Sequence, residues 1–347
     1  MKLDMIERAK EIKSNFESFY QKKIWRYKKF DKIDKFSSSI KMRAKKDINF
    51  GAFVYDTANL GDNIQTIAQL GLIANSNSVL LIDRENVGRY EGSRRACIMN
   101  GWFAHNTEEW PPSKKIEPMF VSFHVADKRI VNGKNKKYYK KYEPIGCRDY
   151  STVQKLDEVG IEAKFTGCLT LMLENPYSRL EKRDYVVVSD SHPGPDAYEN
   201  SAPPNKSAPN MSKKLIPKKV QKDTVYVEHN VGPEAKKYAK KMERSLELLE
   251  LYAKAKTVIT SRLHCALPCI AMGVPVVFLH KEWDTEERFD GYRHMINGYG
   301  PKAKKIDIDW KAPTSSSSEK AKTRMKNFLS KKLEDRKNLE IYCEKQK

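Results

Sequence analysis

From Ile48 onward, short apolar runs alternate with stretches in which apolar residues return at helical spacing. The pattern predicts a strand at 49–55, a helix at 63–74, a strand at 78–83 and strands near 96–104 and 119–124. A helix at 134–142, a strand at 144–148, a helix at 151–159 capped by Ser151 and a strand at 162–167 follow. A second set opens with a strand over Tyr185 to Ser189 and a loop rich in Pro, Asn and Ser at 191–212. Next come a strand over Thr224 to Glu228 and a long amphipathic helix from Pro233 to Lys254, with proline in its first turn. This alternation predicts an α/β fold of parallel sheets with helices on both faces. A boundary near residue 178 separates 47–178 from 179–312, two doubly wound Rossmann-like domains facing a cleft.

The two ends break the alternation. Residues 1–46 read as a basic, helical extension in which Met5, Ile6, Ile12, Phe16, Phe19 and Tyr20 form an approximate apolar stripe. Such a stripe docks on its own domain or lies on a membrane surface, and docking is the commoner outcome. The serine run at 315–318 interrupts the C-terminal segment 313–347, in which Glu319 to Lys347 reads as a polar helix.

The densest chemistry lies at one strand-to-helix junction. Thr257 to Thr260 reads as a buried strand, Ser261 as a helix N-cap, Leu263 to Met272 as an apolar helix stopped by Gly273, and Val274 to Leu279 as the next strand. A right-handed crossover makes these strands parallel and leaves the helix N-terminus at their carboxyl ends, where backbone N–H groups and the helix dipole favour an anion. Arg262 and His264 fall at that N-terminus, a planar cationic fork beside a group that titrates near neutrality. Either alone would read as a strand cap or a satisfied core histidine; together at such a junction they point to an anion site.

Two further charged residues end strands. Asp62 follows Gly61 and opens a helix, where its carboxylate could take a proton from a hydroxyl or simply cap Asn63 to Ala74. Arg148 precedes the helix assigned to Ser151, and an ion pair with Asp149 or another carboxylate is as good a reading as a catalytic one. Cys265 and Cys269 share a helix face, but no second pair of soft ligands has zinc spacing, so they read as small core residues.

Composition adds limits. The net charge of +20 gathers at the N-terminus, around Lys134 to Lys141 and from Lys213 to Lys222. Such an excess attracts polyanions or reflects lysine used as a solubiliser. No zinc finger, RNP-like strand or basic zipper is present, so nucleic acid ranks last among the partners. The apolar run Leu267 to Leu279 is interrupted by Gly273 and Pro275 and is too short to span a bilayer, and the charged N-terminus lacks the apolar core of a signal peptide. A cytoplasmic protein with reduced thiols is expected, with peripheral association at an anionic inner membrane face as an addition.

The Ser261-Arg262-Leu263-His264 junction, followed by Gly273-Val274-Pro275-Val276, resembles the signature of the polysaccharide pyruvyl transferase family. Phe53 to Ala68, with its Gly61-Asp62 turn, is similar to that family's N-terminal strand, turn and helix. Pro144 to Thr152 with Thr166 to Thr170 is similar to its central Arg-Asp element. The matches come in the family's order between residues 50 and 290.

The resemblance implies a glycosyltransferase-B-like fold with an acceptor side in 47–178 and a donor side in 179–312. It also implies transfer of pyruvate from phosphoenolpyruvate to two hydroxyls of a sugar as a cyclic ketal, on a glycan acceptor that could be lipid-linked. Phosphoenolpyruvate would be a co-substrate, with no other cofactor and no metal. Asp62, Arg148 and His264 would be catalytic; Arg262, Ser261, Arg148 and Lys281 would bind the donor's anionic groups; Gly61, Asn63 and Gln65 would lie on the acceptor side. Lys281 stands near the place of a lysine frequent in the family, in a context that departs from the pattern, whereas Glu287 to Tyr292 resembles a branch whose donor is open. A nucleotide-sugar glycosyltransferase on the same fold, or a non-catalytic basic binding module, are the alternatives.

Overall fold

Alternating strands and helices build parallel sheets in the computed structural model of the chain. It describes residues 32–45, 48–55, 57–74, 79–103, 106–177, 181, 184–189, 217–218, 224–231, 238–304, 308, 318–334, 336 and 339–343. In chain order the first half comprises β1 (Ile40–Ala44), β2 (Asn49–Val54), α1 (Leu60–Gly71), β3 (Leu80–Asp83), β4 (Arg95–Ile98), β5 (Gly101–Phe103), β6 (Ile116–Met119), β7 (Phe123–Val125), α2 (Gly133–Lys140), β8 (Ile145–Cys147), α3 (Tyr150–Asp157) and β9 (Ala163–Phe165). The second half comprises β10 (Val186–Ser189), β11 (Thr224–Val227), α4 (Tyr238–Lys254), β12 (Thr257–Thr260), α5 (Leu263–Ala271), β13 (Val276–Leu279), β14 (Gly298–Tyr299), α6 (Glu319–Glu334) and β15 (Leu339–Cys343). The expected apolar stripe, the loop at 191–212 and the first turn of the helix from Pro233 lie outside the described residues.

The second half carries a five-stranded sheet in the order β11-β10-β12-β13-β14, parallel throughout. The first half holds two parallel four-stranded sheets, β3-β2-β4-β6 and β5-β7-β8-β9. The expected single strands at 96–104 and 119–124 are each split between these two sheets. The breaks fall at residues with left-handed backbone, Gly101 (φ 102°) and Ser122 (φ 61°), and a hydrogen bond from Gly101 N to Ser122 O joins them. The chain therefore bends at both places in step.

The ends correct the sequence reading. Residues 40–44, placed in a helical extension, form β1, and the final helix stops at Glu334, after which Leu339–Cys343 forms β15 antiparallel to β1. Long-range backbone pairing outweighs helical propensity there: besides β15, Met42 exchanges backbone hydrogen bonds with Leu72 and Ala74 at the end of α1.

One apolar cluster crosses residue 178. Ile64 and Ile67 of α1 share it with Met242 and Leu249 of α4 and with Cys265 and Leu267 of α5, each fully buried or nearly so. Truncating any one of these isoleucine, leucine or methionine side chains to alanine would cost about 2–5 kcal/mol. α6 braces both halves: Lys322 donates to Ala271 O at the end of α5, and beyond the helix Arg336 pairs with Glu117 (3.0 Å). The packing of α1 against α5 brings their N-termini together.

Candidate active site

Two helices start at the same point in space. The N-cap of α1 is Asn59, whose Oδ1 accepts from Gly61 N (3.0 Å), so the expected capping role of Asp62 is not found. An Asx side chain two residues upstream reaches the first-turn N–H first, which leaves Asp62 to project from that turn. At α5 the N-cap is Arg262 rather than Ser261, and no side chain caps this helix. Arg262 N donates to Thr260 Oγ1 (3.0 Å), while Ser261 Oγ is buried without a hydrogen-bond partner. A β-carbon on Gly61 would lie 2.9 Å from His264 Cβ, so the two N-terminal turns touch where only glycine fits.

Between them opens a cavity of ≈ 300 Å³. Asp62, Arg148, Ser261, Arg262 and His264 line it, as do Tyr55, Thr57, Trp102, His229, His280, Arg288 and Phe289, which the sequence reading did not select. Among the described residues, its lining carries three arginines against one carboxylate.

Asp62 is firmly held. Arg84 Nη2 contacts its Oδ1 at 3.2 Å, Gln65 Nε2 donates to the same oxygen (3.3 Å), and Thr57 Oγ1 donates to Oδ2 (3.0 Å). Arg84 in turn lies over the Tyr55 ring, 3.9 Å from its centroid. Gln65 does not line the cavity; its Oε1 accepts from Arg148 Nη1 (3.5 Å), so it links the acidic pole to the basic one. Asn63 is 1% exposed and Gly61 is packed against His264, and neither lines the cavity. Of the three residues expected on the acceptor side, only Gln65 contacts the site's charged groups.

Arg148 is buried; it lines the cavity, and its Nε stands 3.6 Å from Asp149 Oδ2, the ion pair expected of it. Tyr292 OH donates to its backbone carbonyl from the other half of the molecule. Asp149, not Ser151, caps α3, accepting from Thr152 N (2.9 Å) and from the Ser151 hydroxyl (2.9 Å). Its Oδ2 meets His124 Nδ1 at 2.5 Å. Burial opposes the charge of Asp149, but His124 and Arg148 outweigh it and hold the carboxyl well below the usual carboxylate range. Burial brings His124 down to about 4, so neutral imidazole donates from Nδ1 to the carboxylate. The edge of that ring faces Trp102, at 5.3 Å between centroids.

His264 is partly exposed into the cavity, but its Nε2 is buried and lacks a hydrogen-bond partner. Burial first, then Arg148, His229, Arg288 and Arg84, hold its pKa well below the ordinary 6.5. The imidazole is therefore neutral near pH 7 before any ligand arrives. Lys281 is not part of the cavity: it is exposed, 3.8 Å from Glu282. The third cation is Arg288, on the turn Glu287–Phe289. Its segment was visible in the sequence as Glu287 to Tyr292, but no spacing rule placed it beside His264. Among the described residues, no group of three or more His, Cys, Asp and Glu side chains is placed to hold a metal ion.

Residues 5–279 match the profile of the family described as polysaccharide pyruvyl transferase. No curated protein matches the chain. Four chains among solved structures match it. One is a functionally uncharacterised protein of Klebsiella pneumoniae, 13% identical, covering 74% of this chain and 93% of its own, with a TM-score of 0.44.

Proposed function

Since the chain belongs to the polysaccharide pyruvyl transferase family, we propose that it moves pyruvate from phosphoenolpyruvate onto a sugar of a cell-surface or exopolysaccharide precursor, as a ketal. The observation that carries this reading is the pairing of an uncapped helix N-terminus with two buried, unpartnered polar atoms, Ser261 Oγ and His264 Nε2, in a cavity whose arginines outnumber its carboxylates among the described residues. A helix N-terminus with an unused hydroxyl and an arginine suits a phosphoryl group. Arg148, across the cavity, is the partner for the donor's carboxylate.

In this reading the first turn of α5, Ser261 and Arg262 hold the phosphate, whose charge offsets the arginines that keep His264 neutral. The imidazole then takes up a proton and delivers it to the donor's methylene carbon, which becomes a methyl group. One acceptor hydroxyl bonds to the adjacent carbon and passes its proton to the Asp62 carboxylate. The carbon–oxygen bond to phosphate breaks, and a second hydroxyl of the same sugar closes the ketal as its own proton leaves. Asp62, fixed by Arg84, Thr57 and Gln65, orients the attacking hydroxyl. The sheets of 47–178 and 179–312 are read as acceptor and donor sides of a glycosyltransferase-B-like arrangement. Among the described residues no helix is long and apolar enough to cross a membrane. Cytoplasmic action on a lipid-linked acceptor at the inner membrane face suits the basic surface.

Ligand-induced thermal stabilisation tests the donor. At a hundredfold excess over its dissociation constant, a ligand stabilises by about 2.7 kcal/mol. Phosphoenolpyruvate should raise the melting temperature and UDP-, GDP- and CDP-sugars should not; the reverse would make the protein a nucleotide-sugar glycosyltransferase.

A further inference from the structure

Arg288 is the one lining arginine that reaches the cavity from the turn after β13, and its side chain is turned aside. Its Nη2 donates to Glu286 Oε2 (3.0 Å) and its backbone N to Glu286 Oε1 (3.4 Å), while Glu286 itself does not line the cavity. The pair is partly hydrated, at 41% side-chain exposure for Arg288 and 24% for Glu286, so the bond between them is a weak one. Arg288 nevertheless belongs to the same electrostatic cluster as the reactive histidine, since its charge helps to lower both His264 and His280. The backbone beneath it is fixed: Arg293 donates to Trp283 O (2.9 Å) and to Glu286 O (2.9 Å), and Phe289 is buried against Phe278 and Trp283. A rigid turn thus presents a long cationic side chain with two places to go.

We propose that Glu286 and Arg288 form a charge switch at this cavity, in which Arg288 exchanges the Glu286 carboxylate for the phosphate of a bound ligand. The physical reason is competition. A phosphate dianion already held at the N-terminus of α5 offers Arg288 more charge than Glu286 does, and its oxygens match the guanidinium fork. A carboxylate-only ligand offers no such gain and leaves Arg288 where it is. Glu286 therefore holds Arg288 in reserve and weakens binding of phosphoryl ligands by the worth of the pair that they must break. The inference rests on the proposed function only in taking the natural ligand to be a phosphorylated donor.

Binding of inorganic phosphate, phosphoenolpyruvate and pyruvate to the whole protein, measured by calorimetry, tests the switch. Glu286→Gln keeps the oxygen that caps the turn and removes the charge. It should tighten phosphate and phosphoenolpyruvate by up to about fivefold, the worth of a partly exposed ion pair, and leave pyruvate unchanged. Arg288→Gln should weaken the two phosphates by about tenfold or more. The double variant should bind like Arg288→Gln alone, because Glu286 acts only through Arg288. Tightening by Glu286→Gln in the Arg288→Gln background would mean long-range repulsion and overturn the switch, as would equal dissociation constants for all four proteins or no phosphate binding by the wild type. Failure of the pyruvyl reading looks different: the wild type would bind phosphoenolpyruvate no better than phosphate while the variants still followed the pattern above.

Discussion

Replacing Gly61 by alanine should damage the site far more than the fold. The new β-carbon would stand 2.9 Å from His264 Cβ, 3.1 Å from Asn59 Oδ1 and 3.2 Å from His264 Nδ1. Carbon atoms in contact rest at about 3.5–4.0 Å, so α1 and α5 must separate by roughly 0.6–1 Å at their N-termini. The clash is with a β-carbon, which rotamer changes cannot move. Overpacking of this kind costs about 1–3 kcal/mol. Alanine recovers up to about 1 kcal/mol through helix propensity, less in a first turn. The net loss of about 0–3 kcal/mol lowers the melting temperature by only a few degrees in a chain of this size.

Displacement of His264 and Asp62 by most of an ångström is another matter, since misplacement on that scale can cost about 10²-fold in rate. Melting temperature without ligand, affinity for phosphoenolpyruvate and phosphate release in the presence of an acceptor glycan should be measured on one preparation of Gly61→Ala. A variant with wild-type affinity and turnover would refute the claim that contact between the two helix starts builds the site.

Three further outcomes are expected. His264→Gln should keep its fold and its phosphoenolpyruvate affinity within a few-fold while turnover falls about 10²- to 10⁴-fold, and Arg262→Lys should weaken donor binding first; a His264→Gln protein that melts early yet turns over normally per folded molecule would make His264 a core residue. Because burial and the surrounding arginines hold His264 below 6.5, a bound anion that raises it must take up a proton. Affinity should therefore strengthen as pH falls from the bound-state to the lower free-state pKa, by at most about tenfold per unit. The slope must be compared with that of His264→Gln, which cancels titration of the phosphate itself; parallel slopes would exclude proton uptake at His264.

Local pattern alone determined much of this protein. The short, continuously buried runs of β10 and β12, the helical period of α4, and the left-handed stop at Gly273 (φ 68°) are all written in near neighbours, and the pattern placed them within a few residues. The junction carrying Arg262 and His264 was legible for the same reason. Which side chain caps a helix was not: Asn59, Asp149 and Arg262 took the positions expected of Asp62, Ser151 and Ser261, because a cap is decided by backbone angles and by which oxygen reaches an N–H.

The rest was decided by contacts between residues far apart in the chain. β1 pairs with β15 across nearly the whole sequence, and Gly101 and Ser122 bend two strands only because the strands bend together. Gln65 joins Asp62 to Arg148, and Tyr292 reaches back to hold the Arg148 carbonyl. Lys281, near in sequence to where a cation was expected, points to solvent, while Arg288, seven residues on, faces His264's cavity. Sequence fixes which residues lie within a turn or two of one another. A cavity made from six separate segments depends on how α1 packs on α5 and how the turn after β13 folds back, and those are properties of the packed core.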